Sequence, residues 1–480
     1  MLRHVVATVS LLLLSLSLVA ASAADERVSL IEDQQEVAVT IYNDDLALVR
    51  DQRRVSLPQG QFSLALRDVS AQIRPETALL RNLTNPAGMT VLEQNFDFDL
   101  LSPYSLLEKY VGREVQLVRT HPEKGTDRFE SATVLATNNG VVLQVGDRIE
   151  TGSPGRLVFP DVPKNLRDRP TLAVLLENEN AGEQLVELNY LTSGLGWRAD
   201  YVAELSRDNA TLNLSGWVTL TNQSGASYRD ALLQLVAGDV NRVRSEKAHR
   251  GDVMMEAMPA RAAAPQMKQQ ALFEYHLYTL PRPTTLRDNQ TKQVALLDAS
   301  GVAIEKEYRL QGNAYYYRGR HGDLGEKHKI GVFIEFDNRK EDNLGLPLPK
   351  GVVRVYQQDQ EGRPQFIGED NIDHTPELET VRLKLGDAFD VTAKRKQTDF
   401  KKLGGDGRYN YRFESAFEIV LKNAKEEAVT VVVAEPVPGD WKVVDESHPH
   451  QKAASDTALW EIEVPAKGET TLSYRVEVNY

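Results

Sequence analysis

The chain has no cysteine in 480 residues. That excludes disulfide cross-links, thiol nucleophiles, iron–sulfur clusters and cysteine-ligated zinc. Burial alone must hold the fold, and a chain of this length buries enough surface to manage it. Positive charge is short as well. Lys and Arg number 56 against 69 Asp and Glu, a net charge of −13, which argues against a phosphate backbone as the main ligand. No nucleic-acid partner is expected. Beyond the first residues no segment reaches 18 consecutive apolar residues, so no membrane-spanning helix is expected. HExxH, GxSxG, Walker A and zinc-ribbon patterns are all missing. The expectation is a non-enzyme with no cofactor.

The first residues differ from the rest. Arg3 and His4 precede a leucine-rich run from Val5 to Val19, followed by Ala21-Ser22-Ala23 and the polar Asp25-Glu26-Arg27. A basic start, a short apolar stretch and a small-x-small site form a secretory signal peptide, with cleavage expected after Ala23. Thr8, Ser10, Ser15 and Ser17 dilute the run, which is shorter than a membrane anchor needs. The expected location is therefore the periplasm or outside the cell.

Strand signals dominate the remainder: short runs of Val, Leu, Thr and Tyr alternate with polar residues and stop at Gly, Pro, Asn or Asp. Val37–Tyr42, Leu46–Val55 and Phe62–Leu66 read as a β-meander within a segment 24–100. Ser102 and Pro103 suit the start of a helix, with Leu106, Leu107, Tyr110 and Val111 on one face and Gly112 closing it. Five short strands follow, so 101–165 reads as a small SH3- or Sm-like barrel. Residues 170–385 read as a β-sandwich interrupted by a mobile insertion at 245–270. Residues 386–480 read as an immunoglobulin-like sandwich, with Lys394-Arg395-Lys396 and Lys401-Lys402 as a solvated connector before it. The fold class is all-β and multidomain.

Three blocks carry a resemblance. They are Leu191-Thr192-Ser193-Gly194-Leu195-Gly196-Trp197-Arg198-Ala199-Asp200-Tyr201, then Gly216-Trp217-Val218-Thr219-Leu220-Thr221-Asn222-Gln223-Ser224-Gly225, and a third from Phe366 through Gly368-Glu369-Asp370 and Ile372-Asp373-His374-Thr375-Pro376 to Phe389-Asp390-Val391. Together they resemble the DUF4139 family of bacterial envelope proteins, over roughly 172–480. The resemblance implies a bacterial, β-rich, exported protein and assigns no activity or catalytic residue. One branch of the family is labelled mucoidy inhibitor. This chain has the small barrel where that branch has a coiled coil, so the label is not carried over.

Several residue groups could carry chemistry, each beside a plainer reading. Tyr315, Tyr317, Arg318 and Arg320, with Tyr316 and His321, interleave aromatics and cations. On a strand, Tyr315 and Tyr317 would share a face able to stack on a sugar ring or a base; tyrosine is also simply a favoured strand residue. Asp370, Asp373 and His374 could bind a hard metal or act as acid and base, or cap a turn before Pro376. Gly194-x-Gly196-x-x-Ala199 matches a loose dinucleotide fingerprint, but the strand-like residues after it favour a tight β-turn. His448-Pro449-His450 is half a metal site. Met254, Met255 and Met258 could bind copper(I), or belong to a linker. Arg250-Gly251-Asp252 reads as a chance tripeptide. The best-supported function is an exported, non-catalytic envelope protein that binds or scaffolds an envelope protein or glycan. The alternatives are an envelope hydrolase working through paired carboxylates such as Asp370 and Asp373, and a copper-handling protein using the methionine loop.

Overall fold

Alternating apolar residues make strands wherever one face can be buried, and this chain alternates almost throughout. In the computed structural model about 65% of the chain is strand and about 5% helix, so the protein is all-β and multi-sheet. The structure describes residues 26–480 except 98, 122–123, 139, 153–154, 164–165, 239, 242–266 and 405–406. The expected leader at 1–23, Met254, Met255, Met258 and Arg250-Gly251-Asp252 lie outside the described residues. Two compact units form: one from 1–37 and 49–191, the other from 38–48 and 192–480.

In the first unit, Gly60–Arg67 does not continue a meander with Leu46–Leu57. It pairs in parallel with Glu26–Ser29 and antiparallel with Thr171–Asn178. Leu64, Ala65 and Leu66 are each fully buried, so this strand is covered on both faces, which alternation alone does not signal. The buried Arg53 ties the ends together. It pairs with Asp51 at 2.8 Å and donates to the carbonyls of Ser29 and Arg67 at 3.2 and 2.8 Å. Farther along, Ser102 caps the helix Pro103–Lys109 by accepting from the Ser105 N–H at 3.0 Å. That helix sets Leu107 and Tyr110 into a small core with Val115, Leu117, Val134 and Leu143. The core belongs to a five-stranded antiparallel sheet running from Arg148–Thr151 at one edge to Arg156–Val158 at the other.

The second unit holds two larger assemblies. The first is a five-stranded sheet in the order Gln290–Ala303, Thr211–Asn222, Leu195–Leu205, Gly351–Gln358, Pro364–Ile372. Trp197, Ala199, Tyr201, Ala203 and Leu205 alternate onto its buried face. The Trp197 indole donates to the Val236 carbonyl at 3.3 Å and the Tyr201 hydroxyl to that of Pro349 at 2.7 Å. Val236 lies on Tyr228–Ala237, which pairs in parallel with residues 38–42.

The second assembly is a nine-stranded sheet. Its order is Asp440–Glu446, Glu469–Asn479, Arg412–Asn423, Thr380–Leu403, Asp323–Asp337, Glu305–Gln311, Val429–Pro436, Thr457–Val464, Gln451–Ala454. Its two edge strands are joined by residues 447–450 alone. At about 3.3–3.6 Å per extended residue, that link keeps the edges within ~18 Å. The sheet therefore curls back on itself around one core. Trp441 spans the seam by donating to the Ser455 carbonyl at 2.8 Å, and the Trp460 indole donates to Glu446 at 3.0 Å.

A boundary at 385/386 falls inside Thr380–Leu403, and the core uses Tyr308, Leu310, Tyr317 and Ile330 from before it. The expected connector Lys394-Arg395-Lys396 is likewise part of that strand. Lys394 and Lys396 point away from the core, while Arg395 points in and is 0% exposed. It meets the equally buried Glu435 at 2.5 Å, and its guanidinium lies 4.8 Å from the centre of the Tyr316 ring. The Tyr317 hydroxyl donates to Glu435 at 2.8 Å and sits 2.9 Å from that of Tyr474. Gly312 is required beside this cluster, because a Cβ there would collide with the Glu435 carboxylate.

Burial pushes the Glu435 carboxyl up, against the pull of Arg395 and the two tyrosines. Burial, then the adjacent Glu435, holds the Tyr317 and Tyr474 hydroxyls well above their ordinary value. Arg395→Ala strands Glu435 in the core and should destabilise this sheet by about 3–5 kcal/mol. Arg395→Met with Glu435→Leu should recover most of the loss, both read by urea unfolding followed through Trp441 and Trp460. The tyrosines set an alkaline limit. They ionise near pH 10 when unfolded but not when folded, so the unfolded chain loses protons first. Stability should fall as pH rises past about 10, read by urea unfolding at a series of pH values; stability unchanged from about pH 9 to 11 would refute this.

Candidate functional site

The tyrosine–arginine group does not form a stacking face. Residues 314–317 are a 3-10 turn, not a strand, capped by Asn313 accepting from the Tyr315 N–H at 3.1 Å. The turn sends Tyr315 outward, 50% exposed, where its ring meets His321 edge-on at 5.4 Å. Tyr317 points inward and is 0% exposed. A strand would have put both rings on one side; a turn of three residues per cycle separates them. Arg318 lies 5.9 Å from the centre of the Tyr480 ring, and Arg320 is exposed.

The acidic group is likewise occupied by backbone. Asp370, on Pro364–Ile372, accepts from the N–H groups of Asn371 at 2.9 Å and Lys384 at 2.8 Å. Asp373 follows the strand and is exposed, while the His374 Nδ1 accepts from the Lys350 N–H at 3.2 Å. No cluster of three or more metal-ligating side chains occurs among the described residues. His450 sits between Trp441 and Trp460, 5.8 Å from each ring, with its Nδ1 on Glu446 at 2.9 Å. Gly194 takes φ +82° in the hairpin turn between Gly182–Thr192 and Leu195–Leu205, so a strand and not a helix follows the glycines.

The first two blocks that carry the family resemblance and the opening of the third meet in the five-stranded sheet, while Phe389-Asp390-Val391 lie on Thr380–Leu403. Leu195–Leu205 and Thr211–Asn222 are adjacent, and Pro364–Ile372 is its edge. On the face opposite Trp197 and Tyr201, Asp200 stands beside Trp217 and Arg198 beside Thr219. Val202 stands beside Arg354, which neighbours Glu369, and Tyr356 neighbours Phe366. Asp200 is the hub. It accepts from Thr219 at 2.7 Å, Arg354 at 3.1 Å and Arg198 at 3.3 Å. Arg354 continues to Glu369 at 3.2 Å. Burial pushes the Asp200 carboxyl up, but the bonds from Thr219 and Arg354 and the charges of Arg198 and Arg354 outweigh it and hold it low. Around this row stand the half-buried Trp217 and the Tyr356–Phe366 pair, with ring centres 5.6 Å apart and Phe366 55% exposed.

Sequence reading missed this face. Asp200 and Trp217 lie inside the first two blocks, but nothing local announces that Arg354, some 150 residues on, links Asp200 to Glu369. The fold and this face define an all-β protein with a polar, aromatic-flanked sheet surface. The chain belongs to the DUF4139 family: the model of that domain, described as of unknown function, matches residues 186–480. No curated protein matches the chain. No helix among the described residues is long and apolar enough to cross a membrane.

Asp200→Asn should cost about 1–3 kcal/mol, because it removes the charge facing Arg354 and Arg198 and leaves one acceptor oxygen for three donors. Because the folded carboxyl is held low, its contribution is present above its ordinary value and lost as pH falls through the folded one. The variant and the parent should begin to converge only below about pH 4, a result thermal unfolding from neutral to acid pH would check.

Proposed function

We propose that this is an exported, non-catalytic envelope protein that binds a glycan across the outer face of its five-stranded sheet. The observation that carries the reading is the row of Asp200, Arg354 and Glu369 flanked by the rings of Trp217, Tyr356 and Phe366. Sugar rings present an apolar face to aromatic rings and hydroxyls to fixed charges, and this surface offers both at strand spacing. A glycoside hydrolase needs one carboxyl raised to serve as acid. Asp200 is held low and accepts three hydrogen bonds, and Asp370 accepts two main-chain N–H groups. That favours binding over the hydrolase alternative. The exported location rests on the leader-like first residues.

The test is to immobilise the chain from Ala24 onward and expose it to envelope glycans of its own cell. Retained glycan of unchanged length is expected, with Phe366→Ala weakening retention about fivefold. Glycan released in shortened form would favour hydrolysis instead, and retention indifferent to Phe366 would remove this face from the reading.

A further inference from the structure

The same unit carries a concave feature of a different kind. Where the end of Leu195–Leu205 and the edge Pro364–Ile372 meet the nine-stranded sheet, an open groove of about 180 Å³ forms. Its apolar lining comes from Leu205, Ile367, Val332 and Ile334, and Lys306, Gln357 and Asp387 supply its polar groups. At roughly 30 Å³ per water the space equals about six waters. It falls below the ~300 Å³ of ordinary ligand pockets, so it is too small for an oligosaccharide and suits a fragment of about ten non-hydrogen atoms.

Charge decides which fragment. Asp387 is already neutralised by Lys329 at 3.1 Å and Lys384 at 3.8 Å. Lys306 makes no ion pair among the described residues; its ammonium rests 5.2 Å from the centre of the Tyr308 ring. Lys306 also stands directly across from the buried Ile334, which places the cation beside the apolar floor. Gln357 donates its amide N–H to Asn209 at 2.8 Å and Ser206 at 3.3 Å, leaving its amide oxygen as an acceptor. We infer that this groove binds a small amphipathic carboxylate: a branched apolar body against Leu205, Val332 and Ile367, one carboxylate on Lys306, and an adjacent N–H donor, amide or ammonium, able to reach Gln357. A free apolar amino acid and the C-terminal residue of a peptide share that chemistry.

The experiment is calorimetric titration of the full chain from Ala24 onward with N-acetyl-leucine, N-acetyl-leucinamide and leucine. N-acetyl-leucine should bind, and its amide, identical in shape but without the charge, about tenfold more weakly or worse. Lys306→Gln, a change at an exposed site, should erase that difference while leaving the melting temperature unchanged. Tighter binding of leucine than of its acetyl derivative would identify a free amino acid, and the reverse a chain end. Equal affinity for acid and amide, unchanged binding by Lys306→Gln, or no binding of any of the three would overturn the inference. Phe366→Ala should leave all three affinities alone, so this result and the glycan result stand or fall separately.

Discussion

A chain that is almost all strand must dispose of its sheet edges, whose N–H and C=O groups otherwise invite pairing with other chains. The nine-stranded sheet answers it in part by curling until its first and last strands, linked by residues 447–450 alone, face each other across indole hydrogen bonds and not a strand ladder. The rest of this assembly follows from it. Closing the seam stacks the two halves of one sheet face to face, so Phe417, Tyr474, Trp460 and Val433 share a single core. Trp441, Glu446 and His450 then act as a clasp across the join, holding indole, carboxylate and imidazole in one chain of contacts.

Inside that core the protein places an ion pair where hydrocarbon would pack more cheaply. Removing Arg395 and Glu435 from water costs several kcal/mol each before their attraction is counted. The surrounding tyrosines offset part of that, two by hydrogen bonding and Tyr316 through its ring. Such a cluster specifies more than it stabilises. Only one alignment of Thr380–Leu403 brings Arg395 inward to meet Glu435, and a one-residue slip would bury Lys394 or Lys396 instead. The Asp200 row on the five-stranded sheet pairs the same kinds of charge at a partly solvated face, Asp200 itself 7% exposed.

Much of this was legible locally. Ser102-Pro103 marks a helix start because both residues satisfy or forgo the orphan N–H groups there, and the helix begins at Pro103. Alternation located most strands, and the glycine at 194 read correctly as a turn, while Gly196 lies inside the strand that follows. The misreadings share one cause. Tyr315–Tyr317 looked like a strand because tyrosine favours strands, but Asn313 caps a 3-10 turn that separates the rings. Lys394-Arg395-Lys396 looked solvated because charge runs usually are, yet the middle residue had a buried partner 40 positions away. The meander failed at its third strand, Gly60–Arg67, because neighbours in sequence need not be neighbours in a sheet.

The sequence by itself determined that this protein is β-rich, free of disulfides and a member of its family, since composition, alternation and the motif blocks are properties of single segments. Tertiary structure alone decided which carboxylates are free and which are spent. Asp370 and Asp373 stand out in the sequence, but one is bound to backbone and the other exposed at a strand end. Asp200 and Arg354 are unremarkable there and meet only because strands about 150 residues apart pair, and Lys306 makes no ion pair among the described residues. Strand order is set by which faces can be buried together, a property of the whole sheet that no single segment contains.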